Sequence, residues 1–140
     1  MPDIMDSLSD VKGIEGNRAS FAYGCVEEVK ENPGNYSSYV KKMPAQIKSN
    51  GLGQTLGFMF SKKKTGSKPD NEYDHLLRQL RQYLIFCELL PREINNPEKF
   101  LESIVKMEAF DYRYATTEVL SLLNWLRRFA EGILGGDQDA

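Results

Sequence analysis

The sequence predicts an all-α protein, a compact single-domain bundle of about six helices. Apolar residues recur at intervals of three and four along most of the 140-residue chain, which is the spacing of one helix face. No stretch alternates apolar and polar residues in the way that a half-buried strand does. A chain of this length is long enough for one domain with its own core and too short for two comfortable ones.

The first two predicted helices lie on either side of a proline–glycine turn. The first runs from about Asp10 to Lys30, or starts nearer Asn17, because two glycines weaken its first turns. After the turn, the second begins near Tyr36. Proline has no N–H to donate to the preceding turn, so we expect this helix to kink or restart at Pro44.

The third predicted helix runs from Leu52 to about Ser61 and follows a stop at Asn50-Gly51, where glycine adopts a left-handed conformation without steric cost. Its apolar face consists of Leu52, Leu56, Met59 and Phe60. Three glycines leave part of its surface with almost no side chain: Gly51, Gly53 and Gly57. We therefore expect another backbone to come close to that surface.

Start and stop signals delimit the last three predicted helices. Asn71 is a cap for the fourth, and Asn96-Pro97 starts the fifth, since proline is preferred at the first helical position. The apolar face of the fifth consists of Phe100, Leu101, Ile104, Val105 and Met107. The sixth is nearly twenty residues long, ends at Gly135-Gly136, and has an inward face of Tyr112, Ala115, Val119, Leu122, Leu126, Phe129 and Ile133.

Residues 1–9 and 135–140 are expected to be flexible, and residues 62–70 to form a mobile basic loop. Both cysteines, Cys25 and Cys87, lie in apolar helical patterns, which favours buried free thiols over a disulfide or a metal site. No apolar stretch approaches the length of a membrane span. We therefore expect a cytoplasmic protein that does not contact a membrane.

The formal net charge of −2 conceals a strong asymmetry along the chain. Residues 1–31 carry three basic and seven acidic residues, and residues 70–140 carry eight basic and thirteen acidic ones. Residues 32–69 carry seven lysines and no acidic residue. An anionic partner would thus meet one basic patch on an otherwise acidic molecule.

These lysines make the middle of the chain a candidate nucleic-acid-binding surface. Lys41 and Lys48 are seven residues apart and share a helix face, with Lys42 beside them, and further lysines follow the third helix. Asn50, Gln54 and Ser49 are hydrogen-bonding candidates for sugar or phosphate. The alternative is a solvated basic face, and the absence of acidic residues favours a polyanion modestly.

Other polar residues give no catalytic pattern. The single histidine, His75, has no second ligand or nucleophile placed to form a zinc site or a catalytic pair, so a surface role is favoured. Arg18 lies near the apolar side of its helix, where a buried salt bridge is favoured over a partner contact. Arg127-Arg128 suits a carboxylate neighbour as well as RNA. We expect no enzyme activity, cofactor, metal or small-molecule substrate.

Several blocks of the sequence resemble one known family. They are Arg18-Ala-Ser-Phe-Ala-Tyr23, Tyr39-Val-Lys-Lys-Met-Pro44, Ile47-Lys-Ser-Asn-Gly-Leu-Gly-Gln-Thr-Leu-Gly-Phe58, Tyr112-Arg-Tyr-Ala-Thr-Thr-Glu118 and Leu123-Asn-Trp-Leu-Arg-Arg-Phe-Ala130. Together they resemble the small subunit of the type III-B CRISPR RNA-targeting effector, the Cmr complex. The resemblance covers about Arg18 to Ile133.

The resemblance implies an all-helical, non-catalytic subunit that stacks beside the backbone subunits and neighbouring small subunits, along the guide–target RNA duplex. Target cleavage belongs to the backbone subunit. By motif position, it assigns the RNA-binding face to Lys41, Lys42, Lys48 and Lys62, with Arg18, Asn50, Gln54 and Arg113 as adjoining candidates. A helical protein–protein adaptor without direct nucleic-acid contact is the alternative function.

Overall fold

The computed structural model describes residues 13–64 and 70–135. Within these ranges the chain forms α-helices and no strand, which confirms the all-α prediction. The helices are α1 Ile14–Val29, α2 Tyr36–Asn50, α3 Leu52–Lys62, α4 Glu72–Phe86, α5 Pro97–Val105 and α6 Ala109–Ile133. The predicted flexible ends lie outside the described ranges, except for Gly135, and so does most of the predicted basic loop, residues 65–69.

The longest helix, α6, organises the core, because α1 and α2 both pack along it. Its inward side is completely buried at Ala115, Val119, Leu122, Leu123, Leu126 and Ala130. Phe129 and Ile133 were also predicted to face inward and are partly buried against the core. On the other side of α2, α3 packs against α2, α4 and α5. Both α2 and α3 thus bury one side in the core and leave other residues exposed.

The sequence predicts that α2 either kinks or restarts at Pro44, and the structure shows that the restart is wrong. A restart at Pro44 does not occur, since a single helix runs through this residue from Tyr36 to Asn50. The inward residues before and after the proline are buried in the same core, namely Tyr36, Tyr39, Val40, Met43 and Ile47. Burial on both sides of Pro44 offsets the lost backbone hydrogen bond.

The predicted apolar face of α5 is wrong at Val105. Phe100 and Ile104 are completely buried, but the side chain of Val105 is 58% exposed. It lies at the edge of the buried stripe and lines an open groove between α3 and α5. Apolar character alone therefore did not distinguish a core residue from a groove residue.

The start of α4 is fixed by a reciprocal capping arrangement. The Asn71 side-chain oxygen accepts hydrogen bonds from the backbone N–H groups of Tyr73 and Asp74, both at 3.0 Å. Asp74 in turn accepts from the Asn71 N–H at 2.8 Å. The Asn71 amide also donates to the carbonyl of Lys62 at 2.8 Å, which links the end of α3 to the start of α4.

We expect Asn71→Ala to lower the free energy of unfolding by about 1 kcal/mol, because two N–H groups at the helix start lose their acceptor. Urea denaturation followed by circular dichroism measures this change. Asn71→Asp retains the acceptor oxygen and is the matched control, for which most of the loss should be absent. Equal stability of Asn71→Ala and the unmodified chain would contradict the expectation.

Candidate nucleic-acid interface

The outward side of α2 carries three lysines around a strip of small side chains. The inward side is defined by the buried residues given above. Because about 3.6 residues make one turn, Ala45 and Ser49 lie on the opposite side, and both are exposed. Lys41 and Lys48 flank this strip on one side, and Lys42 flanks it on the other. Lys42 and Lys48 are exposed and Lys41 is half-buried, so an extended ligand has access to the strip between them.

Within the described part of the chain, the lysines of α2 and of the end of α3 form no ion pair with a carboxylate. They are Lys41, Lys42, Lys48, Lys62, Lys63 and Lys64. By contrast, Lys30 and Lys106 are each paired with a glutamate on their own helix turn. The α2–α3 lysines therefore present uncompensated positive charge to an anionic partner.

Two of the α3 lysines lie over aromatic rings of their own helix. The Lys62 Nζ atom is 5.7 Å from the ring centroid of Phe58, and the Lys63 Nζ atom is 4.9 Å from that of Phe60. Such cation–π contacts at exposed sites contribute about 0.5–1 kcal/mol. They hold the two ammonium groups on the α3 surface without neutralising their charge.

Beside these lysines lies an aromatic cluster that the sequence analysis missed. The Phe58 ring is 6.4 Å from that of Tyr39 and 6.0 Å from that of Tyr73, measured between centroids. Tyr39 and Tyr73 pack edge to face at 4.9 Å. The sequence signal was Phe58 itself, an aromatic residue off the predicted apolar face of α3 and four residues before Lys62.

The glycines at the α2–α3 junction admit a close approach, but from a side chain rather than the expected backbone. The hydroxyl of Tyr112 on α6 accepts a hydrogen bond from the Gly53 N–H at 2.7 Å. A Cβ at Gly51 or at Gly53 would lie only 3.3 Å from this hydroxyl. No other residue lies within 4 Å of the Cβ position at Gly57, among the residues that the structure describes.

Three further candidates predicted from the sequence are exposed. Asn50 and Gln54 are exposed at the end of α2 and the start of α3. Arg113 is exposed on α6, next to Tyr112 in sequence, and lines a cavity of about 280 Å³ with Phe110 and Tyr114. Gln54 also lines a groove that contains Glu98 and Glu102, and the cavity at Arg113 includes Glu118, so the structure places both candidates beside carboxylates.

The α3 surface on the other side of Gly57 borders an open groove of about 720 Å³ between α3 and α5. Its lining includes Phe60, Leu101 and Val105, with Glu98 and Glu102 on α5. The groove is mostly apolar and carries carboxylates. Its chemistry therefore differs from that of the lysine surface.

Arg18, also a predicted site residue, lies apart from these lysines in a buried polar cluster. Its Nε atom donates to the Tyr83 hydroxyl at 3.0 Å, and its Nη2 atom donates to Glu118 at 3.0 Å. It is also paired with Glu15, which accepts a hydrogen bond from the Trp125 indole at 2.9 Å. Burial alone would lower the pKa of Arg18, but the hydrogen bonds to Tyr83 and Glu118 outweigh it and raise the pKa above its usual value. This geometry favours the salt-bridge interpretation weighed from the sequence.

The remaining reactive side chains are also engaged in packing. The Nδ1 atom of His75 lies 3.0 Å from the guanidinium of Arg78, and burial together with that positive charge lowers the pKa of His75. Both cysteines are free; Cys25 is buried and Cys87 is partly buried. Burial raises the pKa of the Cys87 thiol to about 12, so the group stays protonated at neutral pH.

Among the described residues, no three or more histidine, cysteine, aspartate or glutamate side chains are grouped so that they could hold a metal ion. In the same part of the chain, no helix has both the length and the apolar character that a membrane crossing requires.

Over the residues that the structure describes, the protein is helical, and the lysines of α2 and of the end of α3 have no carboxylate partner there. The family model for CRISPR-associated protein Cas_Cmr5 matches residues 14–133. The chain therefore belongs to the Cmr5 family, which confirms the resemblance noted from the sequence.

Relatives and a solved structure agree with this assignment. The chain is 30% identical over 118 residues to the CRISPR system Cmr subunit Cmr5 of Thermus thermophilus, covering 83% of this chain and 91% of the relative. It is 31% identical over 130 residues to the protein of the same name from Thermotoga maritima, covering 92% and 91%. A crystal structure of a Cmr5 family protein from Thermus thermophilus superposes with a TM-score of 0.69 at 26% identity, covering 88% of this chain and 99% of the other.

Proposed function

We propose that this protein is a non-catalytic small subunit of a Cmr effector complex, in which the lysine face of α2 and α3 supports binding of guide and target RNA. Its expected partners are the backbone subunits, neighbouring copies of itself and the RNA. The single observation that carries the RNA contact is the unpaired state of the six α2–α3 lysines described above. Its relatives are Cmr subunits by name, which supports membership of the complex.

The surface suits a phosphate backbone rather than a base sequence. Lysines are flexible point charges that contact phosphates without reading base edges. The small side chains of Ala45 and Ser49 between them leave room for a strand to approach the helix. In the proposed complex, base pairing with the guide supplies sequence specificity, as in other RNA-guided effectors.

A single copy is expected to bind RNA weakly. A patch that neutralises a few phosphates gives salt-sensitive affinity that does not depend on sequence. Copies held in a row by protein contacts raise the effective concentration of lysines along the RNA. RNA binding and assembly are therefore coupled in this proposal.

The decisive experiment reverses charge at the middle of α2. We expect Lys41→Glu with Lys42→Glu to weaken target retention by the assembled complex about tenfold, because two phosphate contacts become repulsive. The dependence of log affinity on log salt should become shallower by about two, one for each lost contact. Fluorescence anisotropy of labelled target RNA over a salt series measures both quantities.

The matched control is Arg92→Glu with Lys99→Glu, which changes the net charge equally at two exposed positions outside α2 and α3. This control should bind RNA as the unmodified complex does. Unchanged RNA affinity of the Lys41 and Lys42 variant in a fully assembled complex would overturn the RNA contact.

The adaptor alternative is favoured by a different surface, the apolar groove between α3 and α5. An adaptor that used only protein contacts would show no salt dependence attributable to these lysines. The groove is also compatible with the proposed subunit, which needs protein neighbours. The two functions are therefore distinguished by whether the salt dependence of RNA affinity changes when the lysines are replaced.

A further inference from the structure

The side chain of Phe58 is 41% exposed although its ring touches two tyrosines. It lies off the buried side of α3, which is defined by Leu52, Leu56 and Met59. The core does not require an aromatic ring at this position, since much of the ring remains in contact with solvent. The rings of Tyr39 and Tyr73 pack against the Phe58 ring and leave part of it accessible to solvent.

One basic group contacts this ring, and a second lies one helical turn from its aromatic neighbour Tyr39. On α3, the Lys62 ammonium group lies 5.7 Å from the Phe58 centroid. On α2, Tyr39 donates a hydrogen bond to Gln46 at 2.7 Å, and Lys42 lies between these two residues on the same helix stripe. Helix spacing therefore places Lys42 next to Tyr39, whose ring lies beside that of Phe58, and Lys62 contacts Phe58 from α3.

We propose that the accessible part of Phe58 stacks on an unpaired base of single-stranded RNA, while Lys42 and Lys62 contact the phosphates on either side of that base. This inference rests on the proposed function and extends it by adding a base-stacking residue to a phosphate-binding face. Every nucleobase has a π-face, so such a contact holds a strand without selecting its sequence.

The charges around the ring favour RNA over a protein occupant. Neither Lys42 nor Lys62 has a carboxylate partner in the described part of the chain. Single-stranded RNA supplies a planar ring and an anionic group in each nucleotide. The Lys62 side chain is exposed and flexible, so it can leave the ring for a phosphate when a base arrives.

A stacked base can be detected directly by photocrosslinking. The probe is a single-stranded oligouridine of roughly ten nucleotides that carries 5-iodouracil, bound to the full-length chain. We expect irradiation to attach the RNA to the peptide that contains Phe58, as identified by mass spectrometry. Crosslinks confined to Phe110, which is 69% exposed on α6, would overturn the inference.

Affinity measurements separate stacking from charge. We expect Phe58→Leu to weaken binding of the same RNA about tenfold with an unchanged salt dependence. Phe58→Trp keeps a ring that can stack and should retain affinity, provided that circular dichroism shows the native fold. Phe110→Leu is the matched control at another exposed phenylalanine and should have no effect.

The lysine variants distinguish failure of this inference from failure of the proposed function. Lys42→Gln with Lys62→Gln should make the salt dependence shallower by about two. Normal binding by Phe58→Leu with weakened binding by the lysine variant would overturn base stacking and leave the proposed function standing. Normal binding by both variants would overturn both. Loss of complex assembly by Phe58→Leu with intact RNA binding would make Phe58 a protein contact and also overturn the inference.

Discussion

Glu118→Ala is expected to lower the free energy of unfolding by about 3 kcal/mol, because it leaves the guanidinium of Arg18 buried without its internal partner. Arg18 is 8% exposed and donates to both Glu118 carboxylate oxygens, at 3.0 and 3.2 Å. Tyr83 also loses the acceptor of its hydroxyl hydrogen bond, at 2.9 Å. The exposed Glu15 remains paired with Arg18, which places the loss at the lower end of the range for broken buried pairs.

Chemical denaturation of the single and double variants tests this prediction. Arg18→Met with Glu118→Leu removes both charges and fills the space with apolar groups, which is often neutral for stability. We therefore expect the double variant to be more stable than Glu118→Ala. If Glu118→Ala unfolds at the same denaturant concentration as the unmodified chain, the cluster does not stabilise the fold.

The position of this cluster shows what the sequence could predict. Arg18 was placed near the apolar side of α1, so a buried salt bridge was foreseeable from spacing alone. Its partners were not, because Tyr83 and Glu118 are 65 and 100 residues away along the chain. Helical periodicity states which side of a helix is buried and not which helix packs there.

Helix starts were also predicted better where a local signal, such as a capping side chain, marks them. Asn71 was predicted as a cap and Asn96-Pro97 as a helix start, and the structure confirms both: the Asn71 and Asn96 side chains accept backbone hydrogen bonds at the starts of α4 and α5. The last helix was predicted to be nearly twenty residues long and has 25 residues. It begins at Ala109, before the first residue of the predicted inward face, and residues 109–111 are exposed. Local hydrogen-bonding signals were therefore more informative at helix starts than the limits of the apolar face.

The basic residues of the candidate site could be predicted from the sequence, but the side chains that pack beside them could not. An acid-free stretch in sequence identified the α2–α3 lysines, and their lack of carboxylate partners depends on which helices pack beside them. Phe58 was missed because a lone aromatic residue off the apolar face has no periodic signal. The contacts with Tyr39 and Tyr73 place Phe58 where α2, α3 and α4 meet.

The junction between α2 and α3 gives the second large expected effect, for Gly51→Ala. Gly51 has φ of +89° and ψ of 161°, a backbone conformation that is essentially restricted to glycine. The added Cβ would also lie 3.3 Å from the Tyr112 hydroxyl. We expect the free energy of unfolding to fall by about 2 kcal/mol, measured by urea denaturation.

Gly57→Ala is the matched control, because the same methyl group is added to α3 where the space is open and φ is not positive. Alanine is favoured over glycine inside a helix by about 1 kcal/mol, so this variant should be more stable than the unmodified chain. A lower free energy of unfolding for Gly51→Ala and a higher one for Gly57→Ala would show that the backbone angles at position 51 require glycine. Equal effects at both positions would contradict this, and the direction of α3 relative to α2 would then have to be set by packing alone.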